Sequence, residues 1–226
     1  MKKPSRSSDV KTKKQKVIFI DWQGTLSPTN FWGHLEKSEK QADRDLFRLW
    51  ADTVFINHKD QIVPWMKGRY TSEDILSMAA EETQTNFDTL LKEFIIGCEK
   101  MEYSSPGIPD LVKNLRNKQI IVCIATNNMD SFTRWTVPAM ELDSLFDEIL
   151  NSFYLKALKH DLDKNGQTLF FQKFFNKYKD IKPENCIFID DGEDKMGIIG
   201  KLGIDYRRID ASNTLEQTLQ KILASI

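Results

Sequence analysis

The first clear hydrophobic pattern in the chain is a short apolar run at residues 17–20 that ends on an acid. Asp21 follows this run, and a Gly-Thr turn comes three residues later. A continuous apolar run bounded by turn residues is typical of a buried strand in a parallel sheet. Ligands bind at the carboxyl ends of such strands in open α/β sheets. Asp21 is therefore a candidate functional residue.

The pattern changes to helical spacing over residues 28–103. The clearest helix there has seven apolar residues on one face: Phe87, Leu90, Leu91, Phe94, Ile95, Cys98 and Met101. The stretch that begins at Thr71 looks like a capping box, and a second one begins at Thr85. Because no strand pattern interrupts this block, we predict an entirely helical segment.

From residue 104 onward, predicted strands and helices alternate. The strands are expected at 119–125, 148–150, 185–190 and 204–209, with helices between them and at 214–224. Such alternation predicts a parallel sheet covered by helices on both faces. The predicted fold is therefore an α/β, Rossmann-like parallel sheet core with an inserted α-helical domain. Residues 17–27 and 104–226 form the predicted core, and residues 28–103 form the predicted insertion.

Composition limits the possible classes of protein. The chain has 226 residues, 40% of them hydrophobic, and a net charge of −1. This suffices for one α/β domain with an inserted module, and it gives no overall field that attracts nucleic acid. No apolar run is long enough to span a membrane. Cys98, Cys123 and Cys186 lie far apart in apolar contexts, which indicates buried, reduced thiols and a cytoplasmic location.

Residues 1–16 differ from the rest of the chain. They contain seven basic residues and one acidic residue, with serine and proline between them. No apolar segment follows, so this is not a secretory signal. We predict a disordered basic tail. An arm for nucleic acid or another anionic partner is the alternative, although no aromatic residue lies among the charges.

Two further predicted strands end on polar residues. Thr126 and Asn127 follow one apolar strand, where a hydroxyl and backbone N–H groups can bind a phosphate oxygen. A simple helix N-cap is the alternative. Asp190 and Asp191 end another strand, and two adjacent carboxylates repel each other unless a cation compensates them. Oxygen ligands favour Mg²⁺.

These motifs, in this order, resemble those of the haloacid dehalogenase-like hydrolases. Residues 17–26 resemble motif I, a hydrophobic strand followed by Asp-x-Asp-Gly-Thr-Leu. The strands that end at Thr126 and at Asp190 resemble motifs II and IV. Motif III is usually a Lys-Pro pair shortly after a serine, and Lys159 fits that arrangement with His160 in place of the proline. Lys156 remains an alternative. The helical insertion resembles the cap of the dehalogenase and phosphonatase branches.

The resemblance implies a mechanism and a set of site residues. Asp21 would be the nucleophile that forms a covalent intermediate. Mg²⁺ would be bound by Asp21, the backbone carbonyl of Gln23, Asp190 and Asp191. Thr126, Asn127 and Lys159 would bind the transferring group. The expected substrate is a small phosphorylated metabolite.

One residue departs from the family pattern. Gln23 replaces the second aspartate of motif I, which protonates the leaving oxygen and later activates water. Glutamine has no titratable proton for this task. Three interpretations follow: a phosphatase of reduced or specialised activity, a hydrolase of the dehalogenase or phosphonate type, or a catalytically silent protein that binds a ligand or partner. The phosphatase is the leading prediction.

Overall fold

The computed structural model describes residues 15–226. Residues 1–14, most of the predicted basic tail, lie outside the described residues. Lys16, the last residue of that predicted tail, lies beside the sheet. Its carbonyl accepts a hydrogen bond from the Ile121 N–H at 3.1 Å.

A single parallel sheet organises the chain. Within residues 15–226 it has five strands in the order β3-β2-β1-β4-β5. The strands are β1 (Val17–Ile20), β2 (Ile121–Thr126), β3 (Glu148–Asn151), β4 (Cys186–Asp190) and β5 (Asp205–Arg208). Central β1 pairs with β2 and β4, which places Ile20 between Ile124 and Ile189. The predicted α/β class with a parallel sheet is confirmed.

Helices surround this sheet and fill the long connection after β1. Before β2 these are α1 (Gly33–Glu36), α2 (Gln41–Asp52), α3 (Lys59–Met66), α4 (Ser72–Thr83), α5 (Phe87–Glu99) and α6 (Ile108–Asn117). After β2 they are α7 (Val137–Ala139), α8 (Leu142–Leu145), α9 (Ser152–Leu155), α10 (Gln172–Lys177), α11 (Ile198–Lys201) and α12 (Leu215–Ala224). Two π-helical turns, Thr53–Asn57 and Phe132–Thr136, extend α2 and precede α7. None of the helices in this part of the chain is long and apolar enough to cross a bilayer.

Both faces of the sheet are buried, as the continuous apolar run of β1 predicts. Side chains alternate between the faces along a strand. Ile18 and Ile20 therefore pack in one apolar cluster with α6 and α12. Val17 and Phe19 pack in another cluster with α10 on the opposite face. All four residues of β1 are at most 1% exposed.

The segment of residues 28–103, called the helical segment below, has its own apolar cluster. Trp32, Trp50 and Trp65 lie in it and are fully buried. The predicted capping box of Thr71 and Asp74 forms at the start of α4. At α5 the capping side chain is Asn86, which accepts a hydrogen bond from Thr89 N–H. The division into a sheet core and a separate cap stays a prediction.

Two predicted helices are interrupted in the structure. A helix within 130–145 is broken at Glu141, and a helix over 194–202 is broken at Met196 and Gly197. All three residues have positive φ angles, which a right-handed helix cannot contain. The periodicity of the apolar residues does not show these local turns. The sequence pattern therefore predicts one helix where the backbone forms two separate elements.

Candidate active site

The turn after β1 positions Asp21 at the carboxyl edge of the sheet. The Asp21 N–H donates to the Ile189 carbonyl at 2.9 Å, which extends the pairing of β1 with β4 by one residue. Gly24 has a φ of 79°, and a Cβ there would overlap the carboxylate of Asp191. Glycine at this position therefore lets the turn approach the end of β4 closely.

Three aspartates converge at this edge. Asp21, Asp190 and Asp191 each offer a carboxylate oxygen, and these oxygens lie within 4.8 Å of one another. Gly192 N–H donates to Asp190 Oδ1 at 2.8 Å. Thr25 fixes Asp191, because its hydroxyl accepts from Asp191 N–H at 3.0 Å and lies 3.3 Å from Asp191 Oδ1. Thr25 belongs to the motif I turn, but the sequence analysis assigned it no function.

Lys159 lies between two of these carboxylates. Its Nζ is 3.0 Å from Asp21 Oδ1 and 2.6 Å from Asp190 Oδ2, and the residue is only 5% exposed. Its backbone N–H donates to Asn127 Oδ1 at 2.9 Å. Lys156 lies elsewhere, with its Nζ donating to the Gly68 carbonyl at 3.1 Å. Of the two alternatives from the sequence, Lys159 is the lysine that reaches the aspartates.

Burial and neighbouring charge oppose each other in this cluster. Burial, together with the charge of Asp190, raises the pKa of Asp21 to about 6, although Lys159 lowers it. Burial also lowers the pKa of Lys159, but Asp21 and Asp190 outweigh burial and raise it. Three carboxylates against one ammonium group leave excess negative charge at neutral pH. An oxygen donor set with this charge fits a divalent cation such as Mg²⁺.

Thr126 lies at the end of β2, next to the strand that leads to Asp21. It is fully buried, and its Oγ1 has no hydrogen-bond partner within residues 15–226. A buried hydroxyl without a partner is unfavourable, so this atom fits a hydrogen bond to an oxyanion. Gln23 points elsewhere, since its Nε2 donates to the Thr29 carbonyl at 3.2 Å.

The structure thus joins most of the predicted residues into one network. Direct contacts, or carboxylate oxygens close to one another, link five of these residues: Asp21, Asp190, Asp191, Lys159 and Asn127. The side chains of Gln23 and Thr126 lie at the margin of this network and make no hydrogen bond to it in the described part of the chain.

The model of one protein family, described as haloacid dehalogenase-like hydrolase, matches residues 15–199. The chain belongs to the haloacid dehalogenase-like hydrolases. This confirms the resemblance drawn from the motifs. A search of curated proteins with the sequence gives no match.

Solved structures show the same fold at low sequence identity. One is a dehalogenase, 16% identical with a TM-score of 0.62, where the match covers 94% of this chain and 97% of that one. A second is an enzyme of the same superfamily from Bacteroides thetaiotaomicron in complex with magnesium and inorganic phosphate, 17% identical with a TM-score of 0.59, covering 87% and 95%. A third is the L-2-haloacid dehalogenase of Xanthobacter autotrophicus with chloropropionic acid covalently bound, 12% identical with a TM-score of 0.59, covering 93% and 83%.

A cavity of about 440 Å³ adjoins the active-site edge of this haloacid dehalogenase-like hydrolase. Gln23, Asn127 and Asn128 form part of its wall, so it shares two residues with the predicted site. The helical segment supplies most of the apolar wall, and Met129 supplies the rest. The residues from the helical segment are Phe31, Phe47, Ala51, Phe55, Ile62 and Met66. The apolar spacing in the sequence predicts helices here but does not show which side chains surround a cavity.

A buried aspartate that the sequence analysis missed joins the helical segment to the sheet. Asp130 is 2% exposed and accepts hydrogen bonds from Trp65 Nε1 at 2.9 Å and Ser72 Oγ at 2.8 Å. Arg134 also donates to Asp130 at 2.8 Å and pairs with Glu73 at 2.6 Å. The spacing of Asp130 and Arg134 is a visible signal for a helical ion pair. Nothing local in the sequence indicates their partners in the helical segment.

Proposed function

We propose that this chain hydrolyses a phosphate ester of a small metabolite, with Asp21 as the nucleophile and Mg²⁺ as the cofactor. The observation that supports this most strongly is the convergence of Asp21, Asp190 and Asp191 around the Lys159 ammonium group. Thr126 ends the neighbouring strand β2, and its buried hydroxyl, which has no hydrogen-bond partner among residues 15–226, suits a phosphoryl oxygen. Together these groups provide a nucleophile, cationic stabilisation and an oxyanion contact.

In the proposed reaction, a carboxylate oxygen of Asp21 attacks phosphorus. The new O–P bond forms as the bond to the leaving oxygen breaks, and the leaving group departs with the bonding electron pair. Water then attacks the aspartyl phosphate, which releases inorganic phosphate and regenerates Asp21. Lys159 stabilises the charge on the transferring group, and Thr126 and Asn127 bind and orient it.

The residues that would bind Mg²⁺ are Asp21, Asp190 and Asp191, with the backbone carbonyl of Gln23. The cation would supply positive charge that offsets the repulsion between Asp21 and an anionic substrate. Its oxygen donors are the kind that Mg²⁺ prefers. The magnesium and phosphate in the Bacteroides thetaiotaomicron enzyme, which shares the fold, are compatible with this assignment.

Gln23 makes the proposed activity reduced or specialised. It cannot protonate a leaving group, and general acid–base help is typically worth on the order of 10²–10⁴ in rate. The cavity beside it offers no replacement, because none of its lining residues among residues 15–226 is Asp, Glu or His. The proposed enzyme is therefore restricted to substrates whose leaving group departs without a proton.

The proposal includes a cytoplasmic location and a small-molecule substrate. The three cysteines are free and buried in the structure, which is compatible with a reducing compartment. A role of the basic tail with nucleic acid lies in residues that the structure does not describe.

A second candidate is attack of Asp21 on carbon with release of a halide. The observation that favours it is Gln23, because a halide leaves without protonation. The excess of carboxylates at the site favours the cation-dependent phosphatase instead. Halide release without Mg²⁺ would identify the second candidate, and binding without turnover would identify a silent family member.

The test of the proposal is hydrolysis of acetyl phosphate, a small and activated phosphoryl donor. The native chain should release phosphate with Mg²⁺ but not with a chelator. Asp21→Asn should abolish this release, whereas Asp205→Asn, at a surface position on β5, should not change it. Release that persists in Asp21→Asn, or that does not depend on Mg²⁺, would contradict the proposal.

A further inference from the structure

We propose that the cavity beside Gln23 and Asn127 binds an uncharged aromatic group, so that the substrate is the phosphate ester of a phenol. This inference rests on the proposed function for the phosphoryl part of the substrate. The aromatic part rests on the cavity itself. Three features of the described residues support it: the mostly apolar lining, the aromatic rings in it and the missing acid.

Seven of the eleven residues that line the cavity are apolar, and the aromatic ones stay partly exposed to water. Phe31, Phe47 and Phe55 are each partly exposed, although three tryptophans in the same cluster are fully buried. None of the lining residues in the described chain is charged at neutral pH. Apolar side chains that remain partly exposed in a concave site mark a place where an apolar ligand removes them from water.

Two of the aromatic rings that line the cavity stack on each other. Phe31 and Phe55 have ring centroids 5.6 Å apart and planes 18° apart. Phe94 extends this stack outside the lining, 5.3 Å from Phe31 at 19°. A planar ligand ring can contact the exposed parts of the lining rings with offset or edge geometry.

Four amide side chains line the cavity, and each of them uses one of its two polar atoms in a hydrogen bond to the protein. Gln23 Nε2 donates to the Thr29 carbonyl, and Asn127 Oδ1 accepts from the Lys159 N–H. Asn128 Oδ1 accepts from the Met129 N–H. The other polar atom of each amide can orient a ligand, but none of these residues supplies a charge. The larger part of the wall is apolar, and this part favours an aromatic ring.

The chemistry of the leaving group leads to the same class independently. With Gln23 in place of an acid, the leaving oxygen must depart as an anion. A phenol forms this anion far more readily than an aliphatic alcohol does, because the ring delocalises the charge. The missing acid and the aromatic cavity thus point to one kind of substrate.

Side-chain contacts, in addition to the chain itself, join the helical segment to the rest of the protein and fix the cavity in place. The Ser152 hydroxyl donates to the Met66 carbonyl at 2.8 Å, and Lys67 pairs with Asp161 at 2.6 Å. The buried Asp130 adds the bonds from Trp65 and Ser72. These contacts hold the end of α3 and the start of α4 against the sheet, so the wall of the cavity is formed before a ligand binds.

The test compares the binding of 2-naphthylphosphonate and methylphosphonate to the Mg²⁺-loaded protein by calorimetry. Both probes have the same phosphonate group, so their difference measures the aromatic contact. We expect 2-naphthylphosphonate to bind about tenfold tighter or more, because its ring removes apolar surface from water. Ala51→Leu, which fills the cavity, should remove most of this preference. Ala42→Leu makes the same change at an exposed position of α2 and should preserve it.

Equal binding of the two probes to the native protein would overturn the inference. Preference that survives in Ala51→Leu as it does in Ala42→Leu would also overturn it. Acetyl phosphate turnover separates the two proposals. Turnover without naphthyl preference supports the phosphatase and rejects the aromatic site, whereas naphthyl preference without turnover rejects the phosphatase and supports the aromatic site.

Discussion

The edge of the sheet that carries Asp21, Asp190 and Asp191, called the catalytic edge below, differs in chemical character from the cavity beside it. The edge is charged, and its groups come from short motifs at the ends of β1, β2 and β4 and from one lysine. The cavity is lined by uncharged residues, and most of its apolar wall comes from the helical segment. In the proposed enzyme the sheet would therefore fix the kind of reaction, and the helical segment would select what is attached to the reacting group.

The two regions share one property: each contains side chains whose interactions are incomplete in the folded protein. At the edge, burial and the nearby Asp190 raise the pKa of Asp21, so the folded protein opposes its ionised form. In the cavity, aromatic side chains stay partly exposed to water. A ligand that corrects either deficit binds the native state and raises the free energy of unfolding. Mg²⁺ would correct the first deficit, and an aromatic group would correct the second.

The largest effect is expected at the edge, from Asp21→Asn. Removing a nucleophile that acts with its neighbours as a unit typically lowers kcat by on the order of 10⁴-fold or more. The amide has almost the same shape, so far-ultraviolet circular dichroism should not change. Affinity for 2-naphthylphosphonate should fall much less than kcat, because the cavity is unaltered. If kcat falls less than about tenfold, Asp21 is not the nucleophile.

The next largest effect is expected from Lys159→Met. It removes the ammonium group that compensates two buried carboxylates, and breaking such a pair typically lowers the free energy of unfolding by about 3–5 kcal/mol. Loss of its stabilising charge in the transition state should also lower kcat by on the order of 10²–10³-fold. Chemical denaturation and acetyl phosphate turnover measure the two effects.

Lys156→Met is the matched control for this variant. Lys156 is exposed, its Nζ donates to the Gly68 carbonyl and it lies over the Phe153 ring, so its loss should change turnover by less than about twofold. A larger loss of turnover in Lys156→Met than in Lys159→Met would show that the wrong lysine has been assigned.

The catalytic edge could be predicted from sequence because each of its parts is local. A run of apolar residues followed by an acid specifies both a buried strand and the position of its carboxylate. Parallel strands then bring Asp21 and Asp190 to one edge without any further information. The lysine is less sharply specified, because the sequence favours Lys159 but leaves Lys156 as an alternative until the contacts of the two ammonium groups are known.

The cavity could not be predicted in the same way. Helical spacing assigns Phe31, Phe47 and Phe55 to apolar faces, but a buried face and a cavity wall have the same pattern. Whether an apolar face is buried or lines a cavity depends on how helices that are distant in sequence pack together. Asp130 shows the same limit, since its partners Trp65 and Ser72 lie about sixty residues earlier in the chain.

Gln23→Asp supplies the missing acid at the boundary between the catalytic edge and the cavity, and it tests whether protonation of the leaving group limits turnover. Turnover of an aliphatic phosphate such as glycerol 3-phosphate should rise by on the order of 10²-fold, because its leaving oxygen needs a proton. Turnover of acetyl phosphate should rise less, because only the attack of water on the aspartyl phosphate gains from the new carboxylate. Gln23→Asn is the control that shortens the side chain without adding an acid. Equal gains for both substrates would show that Gln23 limits something other than leaving-group protonation.

The smallest effect is a pH dependence of Mg²⁺ binding. Asp21 has a pKa of about 6 in the metal-free protein, against 3.8 ordinarily, so the native state binds its proton more tightly than the unfolded chain does. This contribution to stability is fully present below about pH 4 and is lost as the pH rises through 6. Mg²⁺ must displace that proton, so its apparent Kd should be constant well above pH 6 and should rise about tenfold per unit below it. Calorimetry between pH 5 and pH 8 measures this. Asp21→Asn should bind the cation more weakly, and the inflection near pH 6 should disappear in this variant. An inflection that survives in this variant would assign the titration to another group, and the raised pKa of Asp21 would then have no part in cation binding.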